Sequence, residues 1–330
     1  MFRNALRSQR ALSVELHPGN DNLATAKPIV PATVVVADRF RSLSIWLLLA
    51  SCLTAVGLSL AFKVRVDPAG SSIVVWAVAA MLLASRVWWD RAGQHTLADA
   101  AGTIGVVSLA AMSGGAIAML ELRFGFPQAD AMLHTADLAL GVNGITIATM
   151  VAAQRDTLLP ILAPVYNFTV ELCFVSLVVL SLTKDRIEAW RGAFIFTGTL
   201  MTVCAVAMFV PATGLINWAP PSVSTFLPQA FMPHFTEFYS GVDPVLRLQV
   251  IDGVITFPSF HAVVGCVVCS MWRKRPLTLL AASIWLAVEL LSTVIGGHYV
   301  IDLVGGFLVW AAWFGLSRIV EERAIATTAC

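Results

Sequence analysis

Residues 257–275 read Phe257-Pro258-Ser259-Phe260-His261-Ala262-Val263-Val264-Gly265-Cys266-Val267-Val268-Cys269-Ser270-Met271-Trp272-Arg273-Lys274-Arg275. A proline opens the stretch, an uncharged apolar run follows, and three basic residues close it. Proline is tolerated in the first turn of a helix, where its missing N–H needs no partner. The run lacks the strict apolar–polar alternation of a membrane-spanning strand. It reads as a helix in apolar surroundings that stops at a charged border.

The same pattern recurs along the chain. Of its 330 residues 58% are hydrophobic and 12% charged, where a soluble domain carries roughly 25% charged residues. Crossing a hydrocarbon core of roughly 30 Å takes about 20 apolar residues. Eight candidate spans result: Ser44–Phe62, Ser71–Trp89, Thr103–Leu120, Leu158–Leu182, Ala193–Val210, Val254–Trp272, Leu277–Ile295 and Tyr299–Leu316. The expected fold is all-α, a polytopic membrane helix bundle. A net charge of +1 gives no reason to expect nucleic acid as a partner. The six cysteines give no disulfide framework, and Cys266 with Cys269 reads as two small core residues, because a thiolate in lipid would be uncompensated.

Basic residues set the expected orientation. With the N-terminus in the cytosol, sixteen Lys and Arg fall on the inner side, and five, Lys63, Arg65, Arg123, Arg155 and Arg247, on the outer. Both termini are therefore expected inside. Residues 1–42 read as a disordered cytosolic tail, 43–102 as two N-terminal spans, 103–316 as a six-helix core and 317–330 as a cytosolic C-terminal tail. Two long outer loops interrupt the core. In 121–157, Gln128–Val151 reads as a helix lying on the membrane surface or dipping into it. In 211–253, prolines and aromatic residues suit a cap at headgroup level.

The chemistry concentrates in the histidines. Four of the six, His134, His234, His261 and His298, fall on the expected outer side. His261 opens the sixth span, and His298-Tyr299-Val300-Ile301-Asp302 opens the eighth. His298 and Asp302 are four apart and share a face if helical. A carboxylate accepting the N–H of one imidazole nitrogen leaves the other nitrogen's lone pair free, which makes the histidine an oriented nucleophile or base. Alone, the pair also fits a structural cap, and a metal would need further ligands. Ser259 and His261 follow a proline at a helix N-terminus, where free N–H groups attract anions. One histidine could attack phosphorus while the other protonates the leaving oxygen. Arg247 is the basic residue of the adjoining outer loop and the expected phosphate clamp, since arginine suits bidentate phosphate binding. Asn217 is a further candidate donor. Asp243 and Asp252 are expected to be solvated, and Glu171 and Glu289 to sit in the bundle outside the site.

Phe257-Pro258-Ser259-Phe260-His261 and Gly296-Gly297-His298-Tyr299-Val300-Ile301-Asp302 resemble the second and third signature motifs of the type 2 phosphatidic acid phosphatase superfamily. Phe257 and Tyr299 look most like its inositol phosphorylceramide synthase (inositolphosphotransferase-like) branch. The resemblance covers roughly residues 125–316. It implies a six-helix catalytic core, a phosphohistidine formed on His298, orientation of that ring by Asp302, and protonation of the leaving group by His261. It also implies an enzyme of lipid metabolism that needs no metal or other cofactor, a phosphatase if water is the acceptor and a phosphotransferase if an alcohol is. The substrate would be a lipid phosphate or phospholipid headgroup, handled at the outer face of the plasma membrane. The sequence departs from the family pattern at Ser292, where an arginine is usual, and in residues 211–221, which lack the Lys-x6-Arg-Pro motif. Lys184 and Arg191 have that motif's spacing but fall on the expected cytosolic side. A transporter and a catalytically inactive lipid-binding relative are the competing readings. The first would favour an internal inverted repeat, and none is visible.

Overall fold

In a computed structural model of the chain, the described residues are 31–67, 72–224, 227, 229–247, 254–293 and 296–328. In chain order the elements are α1 (Ala32–Ala61), β1 (Arg65–Asp67), α2 (Ser72–Arg91), α3 (His95–Glu121), α4 (Asp130–Ala139), α5 (Gly144–Ala153), α6 (Arg155–Leu182), α7 (Arg186–Ala207), α8 (Pro221–Ser224), α9 (Met232–Ser240), β2 (Val245–Arg247), α10 (Phe260–Met271), α11 (Pro276–Ser292) and α12 (Val300–Ala326). Each predicted span coincides with a helix. Six of these, α1, α2, α3, α6, α7 and α12, are long and apolar enough to cross a membrane.

Helix α7 lies at the centre, packed on α1, α3, α6, α10 and α12. Trp190, Ala193, Ile195, Phe196 and Val203 along it are fully buried. The outward faces of α1, α2 and α11 stay apolar and exposed, as at Leu53, Leu60, Val74 and Leu277, because lipid solvates them as well as a core would.

Helix boundaries depart from the apolar runs: α3 starts early at His95 and α7 at Arg186, and three further departures, in α1, α12 and α10, have visible causes or consequences. Helix α1 starts at Ala32, twelve residues before the predicted Ser44, so only residues 1–30 of the expected tail lie outside the described residues. Val36, Ala37 and Phe40 drive this extension, being buried against the bundle, with the Phe40 and Phe194 rings 5.6 Å apart. Helix α12 likewise runs on to Ala326, beyond the predicted end at Leu316. Helix α10 is shorter than its predicted span, with 12 residues, or about 18 Å at 1.5 Å per residue. Residues 254–259 are non-helical, the Phe257–Pro258 bond is cis, and Ser259 caps the helix by accepting the Ala262 N–H at 3.4 Å. Helix α10 is enclosed by α6, α7, α11 and α12, so its N-terminus opens into protein.

The two expected outer segments meet over that N-terminus. The first contains α4 and α5, bent 86° from each other. Gly141, at φ +75°, and Asn143, whose side chain accepts the Ile145 and Thr146 N–H groups, make the corner. The second supplies a 3-10 turn at Gly214–Asn217, then α8, α9 and β2. Strand β2 pairs in parallel with β1, Val66 opposite Leu246. Three-residue strands carry too little pattern to be visible in the sequence.

Candidate active site

The Gly296–Tyr299 turn and the start of α10 face each other at this end of the bundle. The His261 and His298 ring centroids are 6.3 Å apart at 68°. Both rings line a cavity of about 280 Å3 together with Thr213, Thr256 and Tyr166. Away from the histidines the lining is apolar, with Gly114, Phe196 and Leu200.

His298 precedes the helix rather than lying in it, because Tyr299 is the N-cap of α12. The predicted contact with Asp302 nevertheless forms, through capping geometry instead of a shared helix face. From the first turn Asp302 reaches back to accept the Tyr299 N–H at 2.9 Å, and the same oxygen lies 3.3 Å from His298 Nδ1. A nearer partner is the Thr256 carbonyl, 3.0 Å from Nδ1. A carbonyl can only accept, so Nδ1 is the donor, and in the neutral ring the Nε2 lone pair is free. His298 is 5% exposed, so this assignment is made away from bulk water. His261, in the first turn of α10, stacks on Tyr166 with centroids 4.0 Å apart.

The other candidates are placed around this pair. Ser259 is buried; its hydroxyl caps α10 and its N–H donates to the Asp302 carbonyl at 2.9 Å, tying the two motifs together. Asn217 donates to the Thr213 hydroxyl, which lines the cavity, and so supports the wall. Arg247 is not brought to the histidines. It lies in β2, its Nη1 3.1 Å from Glu237 Oε2, and lines a separate hollow with Arg65, Asp67 and Val245. Glu237 also accepts the Val245 N–H at 2.9 Å, so a nearby carboxylate has taken the guanidinium. Ser292, in the position where an arginine is usual, is buried and donates to the Glu289 carbonyl. Glu289 accepts from Thr169 at 2.6 Å inside the bundle, and Glu171 is exposed on α6. Asp243 pairs with Arg65 at the surface, while Asp252 lies outside the described residues. Arg191 is buried at the other end of α7 with Glu188 and Glu321, which separates the Lys184–Arg191 spacing from the histidines.

Several residues of the site were not singled out by the sequence. Asp130 accepts the Thr213 and Gly214 N–H groups and lies 3.0 Å from the Tyr299 hydroxyl. Asp137 accepts the Val300 and Ile301 N–H groups at 2.9 and 2.7 Å. Hydrogen bonds to a charged acceptor are each worth about 1.5–3 kcal/mol, so these two carboxylates fasten α4 to the His298 turn. A signal was available: Asp130, Leu133 and Asp137, all buried, recur at the three- and four-residue spacing of one helix face. Among the described residues no three His, Cys, Asp or Glu side chains gather as a metal site would need.

A protein-family model described as the PAP2 superfamily matches residues 131–316. That range contains α4 from its second residue, both histidine motifs and most of α12. No curated protein matches the chain, and no solved structure matches it.

Proposed function

The chain belongs to the PAP2 superfamily, whose members are generally phosphatases or phosphotransferases, and on that premise we propose that it moves a phosphoryl-centred group from a lipid substrate through a phosphohistidine on His298. The observation that carries the reading is the Thr256 carbonyl on His298 Nδ1. It leaves Nε2 as the nucleophile, in a cavity shared with a second imidazole.

In the first step His298 Nε2 attacks phosphorus, the P–O bond to the leaving group breaks, and His261 gives its proton to the departing oxygen. In the second step His261 takes the proton of the acceptor hydroxyl, the acceptor oxygen attacks phosphorus, and the N–P bond breaks. Asp302 stabilises the charge that builds on the His298 ring. The apolar cavity wall suits the chain of a lipid phosphate or phospholipid. The likeness of Phe257 and Tyr299 to the inositol phosphorylceramide synthase branch makes a lipid alcohol the acceptor to test before water. The bias of basic residues supports cytosolic termini and this site on the non-cytosolic face, the outer face if the membrane is the plasma membrane.

The test is turnover of a panel of 32P-labelled lipid phosphates and phospholipids by the purified protein, beside His298→Ala and His261→Ala. Acid-labile label should be trapped on the wild type and be absent from His298→Ala. Full turnover by His298→Ala would sink the mechanism. Lipid binding without turnover by the wild type would assign the chain to inactive lipid-binding relatives.

A further inference from the structure

We propose that Asp137 is a positioning residue: by accepting the Val300 and Ile301 N–H groups, its carboxylate sets where the His298 imidazole points. The inference rests on the reading of His298 as the reacting group, and it adds a residue from the α4–α5 corner to the machinery.

The geometry has three parts. The first N–H groups of a helix have no partner inside the helix. At the start of α12 two of them go to Asp137, at 2.9 and 2.7 Å, and the one before them, on Tyr299, goes to Asp302 at 2.9 Å. Two carboxylates thus hold three consecutive N–H groups directly after His298. On the other side of His298, the Gly297 carbonyl accepts the Leu215 N–H at 2.8 Å. The backbone of the residue is therefore fixed in front and behind, which places the ring where Nδ1 reaches the Thr256 carbonyl.

Asp137 is fully buried, and the ion pairs among the described residues give it no cationic partner. What it meets is helix N–H groups at the positive end of the α12 dipole. The corner of the bent pair covers it. A Cβ at Gly144, the first residue of α5, would lie 3.6 Å from Asp137 Oδ2. Asp137 does not line the cavity, and apart from the electrostatic interaction of its carboxylate with Asp302, its effect on chemistry passes through the backbone of the His298 turn; Val300→Pro, which keeps that carboxylate, separates the two routes.

Two variants test this in the full-length protein. Asp137→Asn keeps the volume but sets an NH2 group against one of the two N–H donors. Val300→Pro removes one donor instead; proline fits the first helical position, and Tyr299, at φ −74° and ψ 156°, already has the backbone that precedes a proline. The readouts are 15N-histidine NMR in nanodiscs, with the His298 signals identified by their loss in His298→Ala, and turnover of 32P-labelled phosphatidic acid in mixed micelles. Asp137→Asn should shift the His298 ring nitrogens towards tautomer averaging while the other histidine signals stay. It should lower kcat by about a hundredfold, as misplacement of a reacting group by about 1 Å does, with KM nearly unchanged. Val300→Pro should act in the same direction and less strongly. Unchanged His298 signals in either folded variant would overturn the proposal, as would unchanged kcat in an active background. If the wild type turns over no phosphatidic acid, the phosphoryl-transfer reading loses that substrate and the NMR result alone decides the role of Asp137.

Discussion

The His298 imidazole takes its tautomer from a main-chain carbonyl, and that changes what Asp302 contributes. Where a carboxylate alone fixes a catalytic histidine, replacing it by the amide leaves the wrong tautomer and costs about 10⁴-fold in kcat. Here Nδ1 also meets Thr256 O at 3.0 Å, a main-chain partner that position 302 does not supply. Asp302→Asn should therefore lose only the charge that steadies the imidazolium, and kcat should fall by about a hundredfold, the lower end of what general acid–base groups supply. Steady-state kinetics beside His298→Ala checks this; a loss equal to that of His298→Ala would mean that the carboxylate sets the tautomer after all. His298, Asp302 and His261 were legible in the sequence because imidazole and carboxylate are rare in apolar runs. Thr256 was not, since it offers a carbonyl that every residue type carries. Arg247 was named on its charge and loop, and Glu237, ten positions before it, decides its place instead.

The long helices were legible as elements because each needs its own uninterrupted apolar run. The elements that shape the site were not, because distant partners determine them. The 3-10 turn at Gly214–Asn217 is the clearest case. Gly214 sits at φ +83°, and a Cβ there would run into the Gly297 carbonyl oxygen, directly before His298. The backbone of one loop thus rests on the backbone of the other, and only glycine allows it. Gly214→Ala should destabilise the protein by about 1–3 kcal/mol, the usual cost of a strained backbone position, and should lower turnover in the fraction that folds. Gly315, inside α12, has nothing within 4 Å of a Cβ, so Gly315→Ala should leave turnover unchanged and slightly raise stability. Thermal unfolding and turnover of both variants make the comparison; equal effects would show that the contact at Gly297 is unimportant.

The whole molecule has two chemically different ends. One gathers the histidines, Asp130 and Asp137. The other gathers charges in pairs: Asp99 with Arg186, Glu188 with Arg273 and Lys274, Arg191 with Glu321, and Arg275 with Asp185. Glu188 is fully buried, and removing one member of a buried ionic group costs about 3–5 kcal/mol because its partners are left uncompensated. Glu188→Ala should destabilise by that amount in thermal or denaturant unfolding, while the folded fraction keeps wild-type turnover, since the histidines lie at the opposite pole. The pairing also bears on orientation. Charge counting placed Lys184, Arg186, Arg191 and Arg273–Arg275 on one side from loop composition alone, and the ion pairs bring α7, the α10–α11 turn and the end of α12 together at one end of the bundle. The sequence could therefore sort the basic residues between ends, although it could not show that Arg186, Arg191, Arg273, Lys274 and Arg275 meet acids there. The orienting bias counts Lys and Arg themselves and acidic partners change it little, so sixteen against five stands as the expectation to test. Thr183, at the charged end, and Gln229, in the segment above the cavity, are both exposed. In a Cys330→Ser background, Thr183→Cys should react with a membrane-impermeant maleimide only after the membrane is opened, and Gln229→Cys should react in intact cells. The reverse pattern would put the histidines on the cytosolic face and invert the proposed orientation, and labelling of both from one side would break the two-ended topology itself.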